Sequence, residues 1–128
     1  MTSDPPPPRI VTGSVYEPPA DPYSRFLVSR TWPSGVPRDA VDQWDRDLAP
    51  SAALLEAWRS AAIDEATFEA RYEAELLERP AVLAWAVRQA ALVGIALVDD
   101  AEAEPSPRTV LAAIMARHVP GEEDANER

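Results

Sequence analysis

The chain has 128 residues, 22 acidic against 12 basic, a net charge of −10 and no cysteine. All twelve basic residues are arginine. Disulfides, thiol nucleophiles, thiolate-bound metals and lysine Schiff bases are therefore excluded, and so negative a balance repels phosphate backbones and anionic membranes.

A chain of this length buries roughly two-thirds of its extended surface, enough for one core without a metal or disulfide staple. The expected organisation is a Pro-rich tail over residues 1–8, one α/β domain over 9–119 and an acidic tail over 120–128. The opening MTSDPPPPRIV lacks the basic-then-apolar order of a secretory leader. The most apolar stretch, AVLAWAVRQAALVGIALV at 81–98, is interrupted by Arg88, Gln89 and Gly94. It reads as a buried helix followed by a buried strand, not as a membrane span. These features predict a cytoplasmic protein with no membrane or direct nucleic-acid partner. A protein partner stays possible, and the oligomeric state stays open.

In chain order, RIVTGSVY (9–16) is β-branched enough for a strand, and EPPADPYS (17–24) is a turn-rich connection. RFLVSRTW (25–32) reads as a second strand, buried on both faces through Phe26, Leu27 and Val28. Pro33, Gly35 and Pro37 end it. Val41, Trp44 and Leu48 then recur at helical spacing and predict a first helix. Ser51 caps a second, with Leu54, Leu55 and Trp58 on its apolar face. Asp64 caps a third carrying Phe68, Tyr72 and Leu76, with Arg71–Glu75 and Glu75–Arg79 as exposed i,i+4 pairs. Pro80 opens a fourth, 81–92. Gly94 precedes the strand IALV, and Ser106-Pro107 starts a last helix that buries Val110, Leu111, Ile114 and Met115. The order is β-β-αααα-β-α, an α/β layer architecture on a short, mainly parallel sheet.

The segment RFLVSRTWPSGVPRDAVDQWDRDLAPSAALLEAW resembles the YeaO-like family, a domain of unknown function. Arg25–Val28, Arg30, Trp32, Pro33, Gly35, Trp44 and Leu48–Ser51 (including Pro50) stand at positions matching its motifs. FEARYEAEL (68–76) is similar to its next helix, and Val15–Pro18 to its first strand end. The resemblance implies a three-layer α/β/α fold and a bacterial cytoplasmic protein, and it implies no established reaction. There are departures. Ser29 replaces the usual Asp beside Arg30, and Ser34 replaces the Arg between Pro33 and Gly35. Val98-Asp99-Asp100-Ala101-Glu102 and Pro105-Ser106-Pro107 stand where relatives carry a YAARD-like phrase followed by His and Asn. The divergence points to a specialised or inactive member.

Two arginines carry the candidate chemistry. Arg30 follows the second strand and Arg108 lies in the first turn of the last helix. Ligands in open α/β sheets bind beyond the carboxyl ends of the strands, and free N–H groups at a helix start favour anions. Arg30, Ser106 and Arg108 could thus hold a phosphate or carboxylate. The competing reading buries Arg30 against Asp45, Asp47 or Asp99, where it holds the LAPS loop; it makes Arg30 the indispensable arginine and Arg108 the dispensable one. Asp99, Asp100, Glu102 and Glu104 read as a solvated, helix-capping acidic run, and His118 as a favourable charge at a helix end. Trp32, Trp44, Trp58 and Trp85 read as core. No metal, cofactor or catalytic group is assigned. The functional expectation is a non-enzymatic binding or interaction module. The alternative is an enzyme or binder for a small phosphorylated or carboxylated metabolite near Arg30 and Arg108.

Overall fold

The computed structural model describes residues 9–18 and 23–119; both expected tails lie outside the described residues. Within them, β1 (Ile10–Ser14), β2 (Ser24–Leu27), β3 (Gln43–Trp44) and β4 (Ile95–Asp99) form a wholly parallel sheet in the order β1-β4-β2-β3. The last strand in the chain thus lies between the first two. Its register sets Ile95 beside Ile10 and Ser24, and Val98 beside Gly13 and Leu27. Every β4 residue is buried. That position demands a near-continuous apolar run, which IALV supplies.

Alternation along β2 and β4 divides the core in two. Phe26, Val28, Ile95 and Leu97 face one side, where helices α1 (Ala52–Arg59), α2 (Glu65–Leu77), α3 (Pro80–Val93) and α4 (Pro107–Arg117) cover them. Leu27, Ala96 and Val98 face the other side with Val15 and Val36. That side is covered by the 29–42 loop and β3, through Trp32, Val41 and Trp44. The fold class is α/β as expected, with the difference that the third layer is a loop carrying a 3-10 turn (Arg38–Ala40) in place of an α-helix.

The reason lies in the segment expected to form a first helix at Val41–Leu48. It is instead the two-residue strand β3 followed by a 3-10 turn, Arg46–Leu48. The Asp42 carboxylate accepts the Arg25 N–H (2.8 Å), and the Asp42 N–H donates to the Arg25 carbonyl (2.9 Å). Asp45 Oδ1 accepts the Asp47 N–H (2.9 Å). Aspartates that bond nearby backbone compete with the helical ladder, and here they tie the chain to the edge of β2. The Trp44 indole N–H completes the attachment by donating to the Ser29 carbonyl (2.7 Å).

The other elements begin where local chemistry places them. Ser51 caps α1 through the Leu54 N–H (3.2 Å), Asp64 caps α2 through the Thr67 N–H (2.8 Å), and Pro80 opens α3. The four tryptophans pack as expected: Trp32 edge-on to Trp44, Trp58 stacked on Phe68, and Trp85 against Phe26. Among the described residues no helix is long and apolar enough to cross a membrane.

Gly94 makes the turn from α3 into β4 at φ +76°, and a Cβ there would lie 3.0 Å from the Tyr23 ring. Gly94→Ala is expected to lower stability by about 1–3 kcal/mol, the usual cost of a strained backbone position. Urea unfolding of the two proteins measures it, and an unchanged midpoint would mean the turn relaxes freely.

Candidate functional site

The carboxyl ends of β2 and β4 open onto a cleft of about 230 Å³, lined by residues 28–31, Ala49, Pro50, Ala52, Leu55, Arg59, residues 99–101 and Pro107. A second hollow of about 300 Å³ shares Leu55, Arg59, Ala101 and Pro107 and adds Trp58, Pro105 and Ser106. The site therefore lies where strand-end sites are expected in parallel sheets.

Its two expected arginines exchange roles. Arg108 is the buried one: its guanidinium meets Asp99 Oδ1 at 2.5 Å, Glu104 Oε2 at 3.2 Å and the Ala101 carbonyl at 2.9 Å. Its backbone N–H also donates to Asp99 Oδ2 (3.1 Å). Asp99 thus occupies the start of α4, where helix polarity favours an anion. Arg108 does not line the cleft.

Arg30 does line it, half-buried, and meets no carboxylate among the described residues. Its Nε donates to the Pro50 carbonyl (2.8 Å) and its Nη2 to the Ala49 carbonyl (3.5 Å). Of the competing reading, the hold on the LAPS loop is present and the pairing with Asp45, Asp47 or Asp99 is not. Ser106 is buried at the start of α4; its N–H donates to Thr109 Oγ1 (3.4 Å), and its Oγ has no regular hydrogen bond among the described residues. The structure places Arg30 and Ser106 on adjoining hollows and keeps Arg108 away from both.

The motif residues are structural supports. Trp32 donates its indole N–H to the Val36 carbonyl (2.8 Å), closing the loop in which Pro33 is buried and Gly35 has φ +77°. The LAPS loop, with Pro50 and Ser51, is held from beneath as well. The Tyr72 hydroxyl donates to the Leu48 carbonyl, and Glu75 accepts the N–H and Oγ–H of Ser51 at 2.9 and 2.6 Å. Burial, then the charges of Asp99 and Glu75, push the Tyr72 hydroxyl well above its ordinary pKa. The two surface pairs expected of Glu75 do not form, since the loop takes its carboxylate and Arg79 meets Asp47 (3.5 Å).

Sequence reasoning missed Tyr72 and Glu75 as loop anchors, Arg59 as a cleft residue, and the role of Arg25. Arg25, in β2, is buried, and its guanidinium donates to the carbonyls of Ser14, Val15 and Glu17 just past β1. The helical spacing that placed Tyr72 and Glu75 carried no hint of loop 48–51. In the acidic run, Asp99 and Glu104 hold Arg108 while Asp100 and Glu102 are exposed. No three His, Asp or Glu among the described residues converge on a metal position. His118, at the end of α4, meets Glu73 of α2 (2.6 Å).

A model of the inactive DUF488-N3 subclade matches residues 9–128. The chain is also 41% identical over 68 residues to "Uncharacterized protein YeaO" of Escherichia coli (strain K12), a match covering 50% of this chain and 58% of that one. No solved structure matches.

Arg108→Ala would strand Asp99 in a buried position and is expected to cost about 3–5 kcal/mol. Arg30→Ala removes donors from two carbonyls and is expected to cost less, about 1–3 kcal/mol. Parallel thermal melts rank them; a larger loss for Arg30→Ala would contradict the geometry. On the outer face, hydrogen bonds from Arg117 and His118 hold the Glu73 carboxyl below its ordinary pKa. A carboxyl lowered by folding adds stability above its unfolded pKa and loses it as pH falls through the folded one. Glu73→Gln should therefore be less stable than wild type near neutrality. The gap should close as pH falls below the ordinary glutamate range, as melts across that range would show.

Proposed function

The chain belongs to the inactive DUF488-N3 subclade, and from that premise we propose that it is a non-catalytic binding module of the bacterial cytoplasm, acting through the cleft at the ends of β2 and β4. The observation that carries this reading is the internal pairing of Asp99. Both its oxygens are taken, Oδ1 by the Arg108 guanidinium and the Ala101 N–H, Oδ2 by the Arg108 N–H. A general acid or base needs a free lone pair or proton facing the substrate. This carboxylate at the end of the central strand is committed to Arg108 and the turn after it, with three of its roughly four acceptor sites filled from within.

The other titratable groups support the same reading. The Tyr72 hydroxyl is buried and bonded to Leu48, and His118 with Glu73 lies outside the cleft lining. Asp100, exposed at the mouth, has no arginine on it among the described residues and no histidine lining the cleft beside it. The net charge argues against nucleic acid and leaves a small molecule as the ligand class that fits the cleft volume. The subclade's description as inactive agrees with the absence of an armed acid–base pair among the described residues.

The test is to incubate the protein with a panel of small organic carboxylates and phosphates, following both binding and ligand integrity by NMR. Ligands are expected to bind, to perturb the amides of Val28–Thr31 and Asp99–Ala101, and to be recovered unchanged. Turnover of any of them would establish the alternative, an enzyme acting on such a metabolite. Binding that leaves those amides unmoved would displace the site.

A further inference from the structure

We propose that the cleft selects an organic anion, a phosphate or carboxylate carried on an apolar or planar body, with Arg30 and Arg59 binding the charged end. This deepens the binding-module reading and rests on it. Arg79, Arg108 and Arg117 form ion pairs, Arg25 is spent on carbonyls, and Arg9, Arg38 and Arg46 lie over aromatic rings. Arg30 and Arg59, like the exposed Arg71 and Arg88, have no carboxylate within salt-bridge distance among the described residues, and they are the two that line the cleft.

Arg30 is already oriented for the task. Its Nε and Nη2 are held by the carbonyls of Pro50 and Ala49, which fixes the guanidinium plane, and Nη1 makes no hydrogen bond among the described residues. A guanidinium fixed on one edge presents the other to an oxyanion with little further loss of freedom. Arg59, exposed on α1, also lines the cleft and contributes a second charge. Beside it, Leu55, Trp58 and Pro107 give the adjoining hollow an apolar lining suited to the body of such a ligand. Asp99 does not compete for the arginines, because Arg108 neutralises it.

The probes are phenyl phosphate, benzoate and neutral benzyl alcohol, titrated into the full chain with amide shifts as the readout. Phenyl phosphate and benzoate are expected to bind at the cleft and to weaken with added salt, and benzyl alcohol to bind much less. A preference for phenyl phosphate would point to a phosphorylated natural ligand, and a preference for benzoate to a carboxylated one. Arg59→Gln, an exposed substitution whose melt should match wild type, is expected to weaken the anions roughly tenfold or more, as loss of a charge-assisted hydrogen bond does, without affecting benzyl alcohol. Equal binding of the neutral probe, or anion affinity unchanged in Arg59→Gln, would overturn the anion assignment and leave the binding-module reading standing. Silence from all three probes at millimolar concentration would overturn both.

Discussion

The arrangement turns on a buried carboxylate at the end of the central strand. β4 is enclosed by β1 and β2 at its edges, by helices on one face and by the tryptophan loop on the other. Asp99 ends that strand at 3% exposure. A charge so placed is tolerated only when paired and hydrogen-bonded. Arg108 supplies the pairing, and its own burial is tolerated for the same reason. The pair sets the start of α4 against the strand end, and Glu104, bonded to both Arg108 and Thr12, ties the 100–106 loop to the edge strand β1. Thr109, then Arg108 and Thr12, hold the Glu104 carboxyl below its ordinary pKa.

A second set of polar contacts works on the opposite wall of the cleft. Side chains from elsewhere meet the Leu48, Ala49 and Pro50 carbonyls and the Ser51 N–H of the LAPS loop: Arg30 from the end of β2, Tyr72 and Glu75 from α2. Buried backbone groups require such partners. The consequence is a wall whose shape is set by three side chains distant in sequence. The Arg30 that holds it also presents a free guanidinium edge to the cleft.

These two features together give a strand-end site without a free buried acid. The place at the start of α4 that would suit an external anion is filled by Asp99 from within. Arg30 and Arg59, in the lining of the cleft, lack internal carboxylates among the described residues. The proposed binding without catalysis rests on this one distribution of charges. Membership of a subclade described as inactive accords with it.

The sequence by itself determined what depends on near neighbours in the chain. The apolar runs FLV and IALV announced buried parallel strands. Ser51, Asp64, Pro80 and Ser106-Pro107 marked helix starts, and Gly94 the turn into β4, because caps and left-handed turns are local chemistry. The motif residues from Arg25 to Ser51 located the strand end and the loop beside it. Local periodicity misled at Val41–Leu48, where helical spacing was outweighed by Asp42 and Asp45 bonding the backbone and by an edge of β2 waiting to be paired. Tertiary structure alone decided which arginine met which acid. Arg30 and Arg108 are equivalent in sequence, each a cation just past a strand or at a helix start, and both have aspartates in reach of a guess. Only the insertion of β4 between β1 and β2 brings Asp99 to the start of α4 and leaves Arg30 facing the carbonyls of loop 48–51. Ion pairing depends on distances of a few ångströms between segments far apart in the chain, and no spacing rule within a single segment encodes those distances.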